Sequence, residues 1–306
     1  MTTFTVDPTT LTSLRNKTIL ITGGSSGIGL ATASLLGTLS PTNRIAILDL
    51  QPPPPSLSLP ASNLSFHPCD LTSWPAQESA FRAAVAALGP LDAVFVNAGI
   101  AEHGEQFFTP AGKDGKLTPP DLRTLTIDLD AAAMTTKLAI HHLRANPRGG
   151  SIVLTASLAG YLASAGAPLY SAAKHGIVGL MRALKQEVAA FNIAISLVAP
   201  GITVTPILNA NRQLESLDSW ARDMEKVGVP INRAESVALA VGWLVNEGMG
   251  ANGMGLLVQS DRMVDLEREL AKARGLWMGE EMLALFRGGR NAPLFERVGE
   301  KEKAKI

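Results

Sequence analysis

Three side chains in this sequence have types and spacing suited to moving a proton: Ser157, Tyr170 and Lys174. A tyrosine and a lysine four positions apart lie one turn apart on the same helix face. A free phenol gives up its proton only near pH ~10, and a neighbouring ammonium favours the phenolate. A phenolate so placed can take the proton of an alcohol while hydride leaves the carbinol carbon. Ser157, at the end of a strand-like run, can hold the reacting oxygen by a hydrogen bond. Taken alone, Tyr-x-x-x-Lys recurs by chance, and a solvated helix face accounts for it as well. Its meaning depends on what else the chain carries.

The second motif supplies the hydride partner. Thr22-Gly23-Gly24-Ser25-Ser26-Gly27-Ile28-Gly29 follows an apolar run and opens a helical one. Glycines there let the backbone turn tightly, and free N–H groups at a helix N-terminus hold a pyrophosphate. Gly23, Ser25, Ser26, Gly27, Ile28 and Gly29 are therefore expected to contact a dinucleotide. A glycine-rich turn is weak evidence in isolation, but a strand before it and a helix after it are the confirming context. Asp49 stands at the end of the next strand, where a carboxylate accepts the adenosine ribose hydroxyls and repels a 2′-phosphate. No Lys or Arg occupies the turn, and Leu50 and Gln51 offer no cation. The pattern favours NAD over NADP. Capping of the next turn is the plainer role for Asp49.

The elements that must position these groups are legible in outline. Short β-branched runs at 18–22, 44–48, 64–67, 93–96, 151–155, 194–198 and 255–258 read as buried strands. Helical spacing fills 29–39, 76–88, 120–144, 170–191 and 234–245. Strands alternating with helices imply an α/β, Rossmann-type doubly wound parallel sheet in a single domain. Four prolines at 52–55 predict a loop where a crossover helix would normally sit. A loop over 102–119 is expected at the surface near the site, with His103 or Glu105 as candidates to touch substrate. A lid is expected over about 206–230. The catalytic domain is drawn at 1–261, followed by a helical extension over 262–306 with an apolar face to bury and charged, frayed last residues.

Composition narrows the function further. The chain has 306 residues, 46% hydrophobic and 18% charged, with 27 basic and 27 acidic side chains. A net charge of zero offers no field for a phosphate backbone, so nucleic acid is not an expected partner. The lone cysteine, Cys69, suits a reducing compartment and reads as a packing residue. The first 17 residues lack a signal-peptide pattern and no run is long enough to cross a bilayer, so a cytoplasmic location is expected. His141 and His142 have no partner cluster with ligand spacing, and His175 reads as structural. No metal site is expected.

These motifs together resemble the short-chain dehydrogenase/reductase family over about residues 15–260. The resemblance rests on Thr22-Gly23-x-x-x-Gly27-Ile28-Gly29, Asp70-Leu71, Asn97-Ala98-Gly99, the Ser157/Tyr170/Lys174 set and Pro200-Gly201. It implies that Asp70 and Leu71 meet the adenine, and that Asn97, Ala98 and Gly99 support the sheet and the cofactor's ribose side. It further implies that Lys174 binds the nicotinamide ribose, with Pro200, Gly201, Ile202 and Thr205 lining the nicotinamide site. Residues 157–160 and 170–179 are similar to NAD-dependent hydroxyprostaglandin dehydrogenases, a pointer to NAD and alcohol oxidation rather than to a prostaglandin. Where the family usually carries an Asn on the preceding helix, this chain has Asp128, which would keep Lys174 protonated and alter the pH profile. The expected substrate is a hydrophobic secondary alcohol or ketone, because the stretches expected around the pocket are apolar or small. The resemblance also implies a homodimer or homotetramer. An NADPH-dependent ketoreductase and a catalytically idle dinucleotide sensor are the competing readings.

Overall fold

The computed structural model describes residues 3–209 and 214–288. An eight-stranded sheet forms its centre, in the order β10-β9-β6-β5-β4-β1-β2-β3. The strands are β1 Thr18–Thr22, β2 Arg44–Asp49, β3 Leu64–Pro68, β4 Ala93–Val96, β5 Gly150–Thr155, β6 Ile193–Pro200, β9 Gly255–Gln259 and β10 Arg262–Asp265. All neighbours pair in parallel except β9 with β10. The two-residue strands β7 Thr203–Val204 and β8 Asn232–Arg233 form a separate parallel pair. Every residue of β1, β4 and β6 is buried, as a sheet covered on both faces requires.

Helices close the two faces. α1 (Gly27–Leu39) and α7 (Ala234–Glu247) pack on one, over a core that includes Ile21, Leu36, Phe95, Val237 and Leu244. α2 (Trp74–Leu88), α4 (Ala132–Arg144) and α5 (Pro168–Ala189) cover the other, over Phe81, Leu138, Ile177 and Met181. The strand order reverses between β1 and β4. From β1 the chain builds outward to β2 and β3 in one direction, then returns to β4 and builds through β5, β6 and β9 in the other. That reversal opens a crevice at the carboxyl ends of the strands, the usual place for a ligand in such sheets.

Two expectations are adjusted. The helix foreseen over 120–144 begins at Arg123, where the Asp121 carboxylate accepts the Arg123 N–H at 3.0 Å, and it is not uniform. α3 (Arg123–Leu125) leads into a π-type turn, Thr126–Ala131, before α4 starts. The helical extension begins at Leu266 rather than 262, because Ser260 and Asp261 adopt positive φ and fold β10 back onto β9. It then runs through α8 (Leu266–Lys272), α9 (Arg274–Met278) and α10 (Glu280–Gly288). The polar N-terminal segment is also part of the body: Leu11 and Leu14 are buried and Phe4 bridges Met263.

The proline segment behaves as its chemistry requires. No helix links β2 to β3, only a loop and a short 3₁₀ turn at Ala61–Asn63. β7 and β8 flank the expected lid, which carries α6 (Leu217–Lys226). The stretches 210–213 of that lid and 289–306 of the extension lie outside the described residues.

Candidate active site

One cleft of about 820 Å³ lies along the carboxyl ends of the strands and gathers most of the predicted residues. Gly23, Ser26, Gly27 and Ile28 line one end with Asp49, Asp70 and Leu71, next to Asn97, Ala98 and Gly99. Ser157, Tyr170, Lys174, Asp128, Pro200, Gly201 and Ile202 line the other, with Thr205 beside Gly27.

The glycine turn is built for an anion. Gly23 and Gly27 sit at φ 65° and φ 50°, where any Cβ is costly. Ser26 is the N-cap of α1 but its side chain makes no cap hydrogen bond, so the first-turn N–H groups are left for a ligand. These features fit a dinucleotide pyrophosphate. Two predicted contacts serve the turn instead of lining the cleft. The Ser25 N–H donates to Asp49 Oδ2 at 3.0 Å and its hydroxyl to the Gln51 carbonyl at 2.6 Å, which pins the turn to β2. Gly29 lies against the Gly23 carbonyl, into which a Cβ would collide. Gly29→Ala is therefore expected to lower the denaturant midpoint by the equivalent of about 2–3 kcal/mol. An unchanged midpoint would mean the turn yields freely.

Asn97 ties three strand ends together. Its side-chain amide donates to the Thr22 and Gly23 carbonyls at 3.1 and 3.2 Å, and its oxygen accepts from the Thr155 hydroxyl at 3.3 Å. Asp70 accepts from the hydroxyl and amide of Thr72, which hold its carboxyl below the usual range. Cys69 lines the same end, and burial pushes its thiol up to about 11, so it is not a nucleophile.

At the other end, Tyr170 and Lys174 project from the first two turns of α5, with the ammonium 5.4 Å from the phenol ring centre. Lys174 Nζ donates to the Thr155 carbonyl at 3.1 Å and lies 3.0 Å from Asp128 Oδ2. Both members of that pair are buried. Burial pushes the Lys174 ammonium toward the neutral form, but Asp128 and then Tyr170 push harder the other way, and the net effect is upward. The π-type turn carries Asp128, whose Oδ1 accepts the Ile100 N–H at 2.8 Å. A Cβ on Gly99 would come within 2.9 Å of Asp128 Oδ2, so glycine there makes room for the carboxylate. Ser157 caps the short 3₁₀ turn Leu158–Gly160, its Oγ accepting the Ala159 N–H at 3.1 Å, while its hydroxyl faces the Pro200 carbonyl at 3.4 Å.

The chain has two tyrosines. Tyr161 lies outside the cleft, donating to Glu267 Oε1 at 2.9 Å while Arg182 grips the same carboxylate. Burial and then the Glu267 charge push its phenol far up. Tyr170 is the tyrosine that lines the cleft. The triad of Tyr161, Glu267 and Arg182 fastens the turn after Ser157 to α8, and sequence spacing gave no hint of it, because its members are far apart in the chain.

The loop after β4 contributes a different side chain from those foreseen. His103 and Glu105 do not line the cleft. Glu105 instead accepts the N–H groups of Phe107 and Phe108 at 2.6 and 2.7 Å. Glu102 does line it, buried, with Oε2 accepting the Tyr170 N–H at 2.8 Å. Leu158, Leu162, Ala163, Ala165, Ile202 and Ile207 make the surrounding walls apolar. From the lid, residues 205–208 and Pro230 reach the cleft, but α6 does not.

Among the described residues, no group of His, Cys, Asp and Glu is arranged to hold a metal ion, and no helix is long and apolar enough to cross a membrane. A family model described as short chain dehydrogenase matches residues 17–216. A short-chain dehydrogenase/reductase of Stachybotrys chlorohalonatus is 32% identical over 94% of this chain and 92% of its own. Another from Penicillium roqueforti is 31% identical over 91% and 85%. The 5′-hydroxyaverantin dehydrogenase of Dothistroma septosporum is 27% identical over 92% and 96%. The crystal structure of levodione reductase shares the fold, with TM-score 0.66 and 24% identity over 80% of this chain and 97% of that one.

Proposed function

The chain belongs to the short-chain dehydrogenase/reductase family, and on that premise we propose that it interconverts a hydrophobic secondary alcohol and its ketone with NAD. The family's members are oxidoreductases that use nicotinamide dinucleotides. The observation that carries the reading is the shared cleft: Ser157, Tyr170 and Lys174 line one end and the glycine turn the other.

When bound there, the nicotinamide would accept the hydride in oxidation and return it in reduction. Tyr170 as phenolate takes the hydroxyl proton in the first direction and as phenol gives it back in the second. Lys174, held charged by Asp128, favours the phenolate. Ser157 donates its hydroxyl to the substrate oxygen, and the apolar walls keep bulk water from the reacting carbon.

The NAD preference rests on charge. Lys174 is the single cation among the described residues lining the cleft, and it is paired with Asp128. A 2′-phosphate would meet Asp49 with nothing to compensate it. The expected KM for NAD is at least roughly tenfold below that for NADP, and Asp49→Ser narrows the gap by about the same factor. A native enzyme that uses NADP more tightly overturns this preference. A screen of apolar secondary alcohols, followed by absorbance of reduced cofactor, tests the activity itself. The reading also includes pairing of copies through α4 and α5, which light scattering would check.

The similarity to a 5′-hydroxyaverantin dehydrogenase supports a hydroxylated substrate. The apolar walls of the cleft support a largely apolar one.

A further inference from the structure

The N-terminus of α5 lacks a cap of its own. Ala167 occupies the N-cap position and has no side chain able to accept a hydrogen bond. Pro168 follows with no N–H, so the first orphan donors belong to Leu169 and Tyr170. The Tyr170 N–H is taken by a side chain from elsewhere in the fold, Glu102 Oε2 at 2.8 Å. Glu102 stands three residues beyond Gly99 in the loop after β4, is buried, and lies in the wall of the cleft. One carboxylate therefore grips the backbone of the residue whose phenol faces the reacting atoms.

We propose that Glu102 is a positioning residue for Tyr170, fixing the start of α5 against the β4 loop through its grip on the Tyr170 N–H. This rests on the reading of Tyr170 as the proton-transfer group. Three charged groups line this side of the cleft among the described residues: Lys174 from α5, Asp128 from the π-type turn and Glu102 from the β4 loop. Asp49, Asp70 and Cys69 line the far end, beyond β1.

The test compares Glu102→Gln with Glu102→Ala in the full chain with NAD and a turned-over alcohol. Gln keeps an oxygen that accepts the Tyr170 N–H but removes the charge. Its kcat should stay within about twofold of native. Ala removes both, and kcat should fall by roughly tenfold with KM for NAD within about twofold. If Ala does not fold, Glu102→Met, which keeps the side-chain length without an acceptor, takes its place with the same expected fall. A native kcat in Ala or Met, or a roughly tenfold fall in Gln, overturns the proposal. Tyr170→Phe run in parallel separates the two readings. An active Phe variant removes the assignment of Tyr170 itself, whereas an inactive one beside a native Glu102→Ala removes only the role of Glu102.

Discussion

Tyr170→Phe is expected to cut turnover by roughly 10³-fold while leaving NAD affinity within about twofold. The substitution keeps the ring that packs 5.4 Å from the Lys174 ammonium and the backbone N–H that Glu102 accepts. It removes only the phenolic oxygen, so the fold has no reason to move. No other group in the cleft can take over the proton. Tyr161 is bound to Glu267 outside it, and the Cys69 thiol is pushed up at the far end. Glu102 and Asp128 are committed to the Tyr170 and Ile100 N–H groups. Fluorescence titration with reduced cofactor and steady-state kinetics measure the two effects separately. Undiminished turnover would remove Tyr170 from the mechanism.

The second large effect concerns the buried ion pair. Lys174→Met is expected to abolish activity and to cost about 3–5 kcal/mol, because Asp128 would keep its charge with only the Ile100 N–H to answer it. Asp128→Asn is different. The amide oxygen can still accept from Ile100, and the fold should survive with measurable turnover. Removing the carboxylate withdraws what keeps the buried Lys174 ammonium charged, so the alkaline limb of the pH profile moves down. Complete loss of activity in a folded Asp128→Asn would show that the carboxylate itself is required.

The sign of the stability effect follows from the upward shift on Lys174. Stability from a raised ammonium is fully present below the ordinary lysine value near ~10.4 and is lost as pH rises through the raised one. Thermal unfolding of the native protein should therefore show no loss from this pair between pH 6 and pH 9, numbers set by that ~10.4 reference.

Much of this molecule was written in local pattern. The strand runs 18–22, 93–96 and 255–258 appear almost residue for residue, since short β-branched stretches bounded by turns have little else to do. The proline loop after β2 follows from the missing N–H groups alone. The glycine turn and the Tyr170/Lys174 pair were legible because each depends on spacing within a few residues. Ser25 and Gly29 belong to the turn but do not line the cleft, because whether an atom faces a ligand or a neighbouring strand is not a local property.

What the sequence by itself determined was the alternation of strands and helices, the anion-binding turn, and which side chains could carry a proton. Only the tertiary structure decided the rest. Arg262–Asp265 became a strand because β9 offered an open edge and the Ser260-Asp261 turn could reach it. Asp128 met Lys174 because a π-type turn carries it into the space left by Gly99. Glu102, passed over in favour of His103 and Glu105, reached Tyr170 across 68 positions of chain. Contacts of that kind depend on where distant elements are placed by the packing of both faces of the sheet, and no periodicity within one segment encodes them.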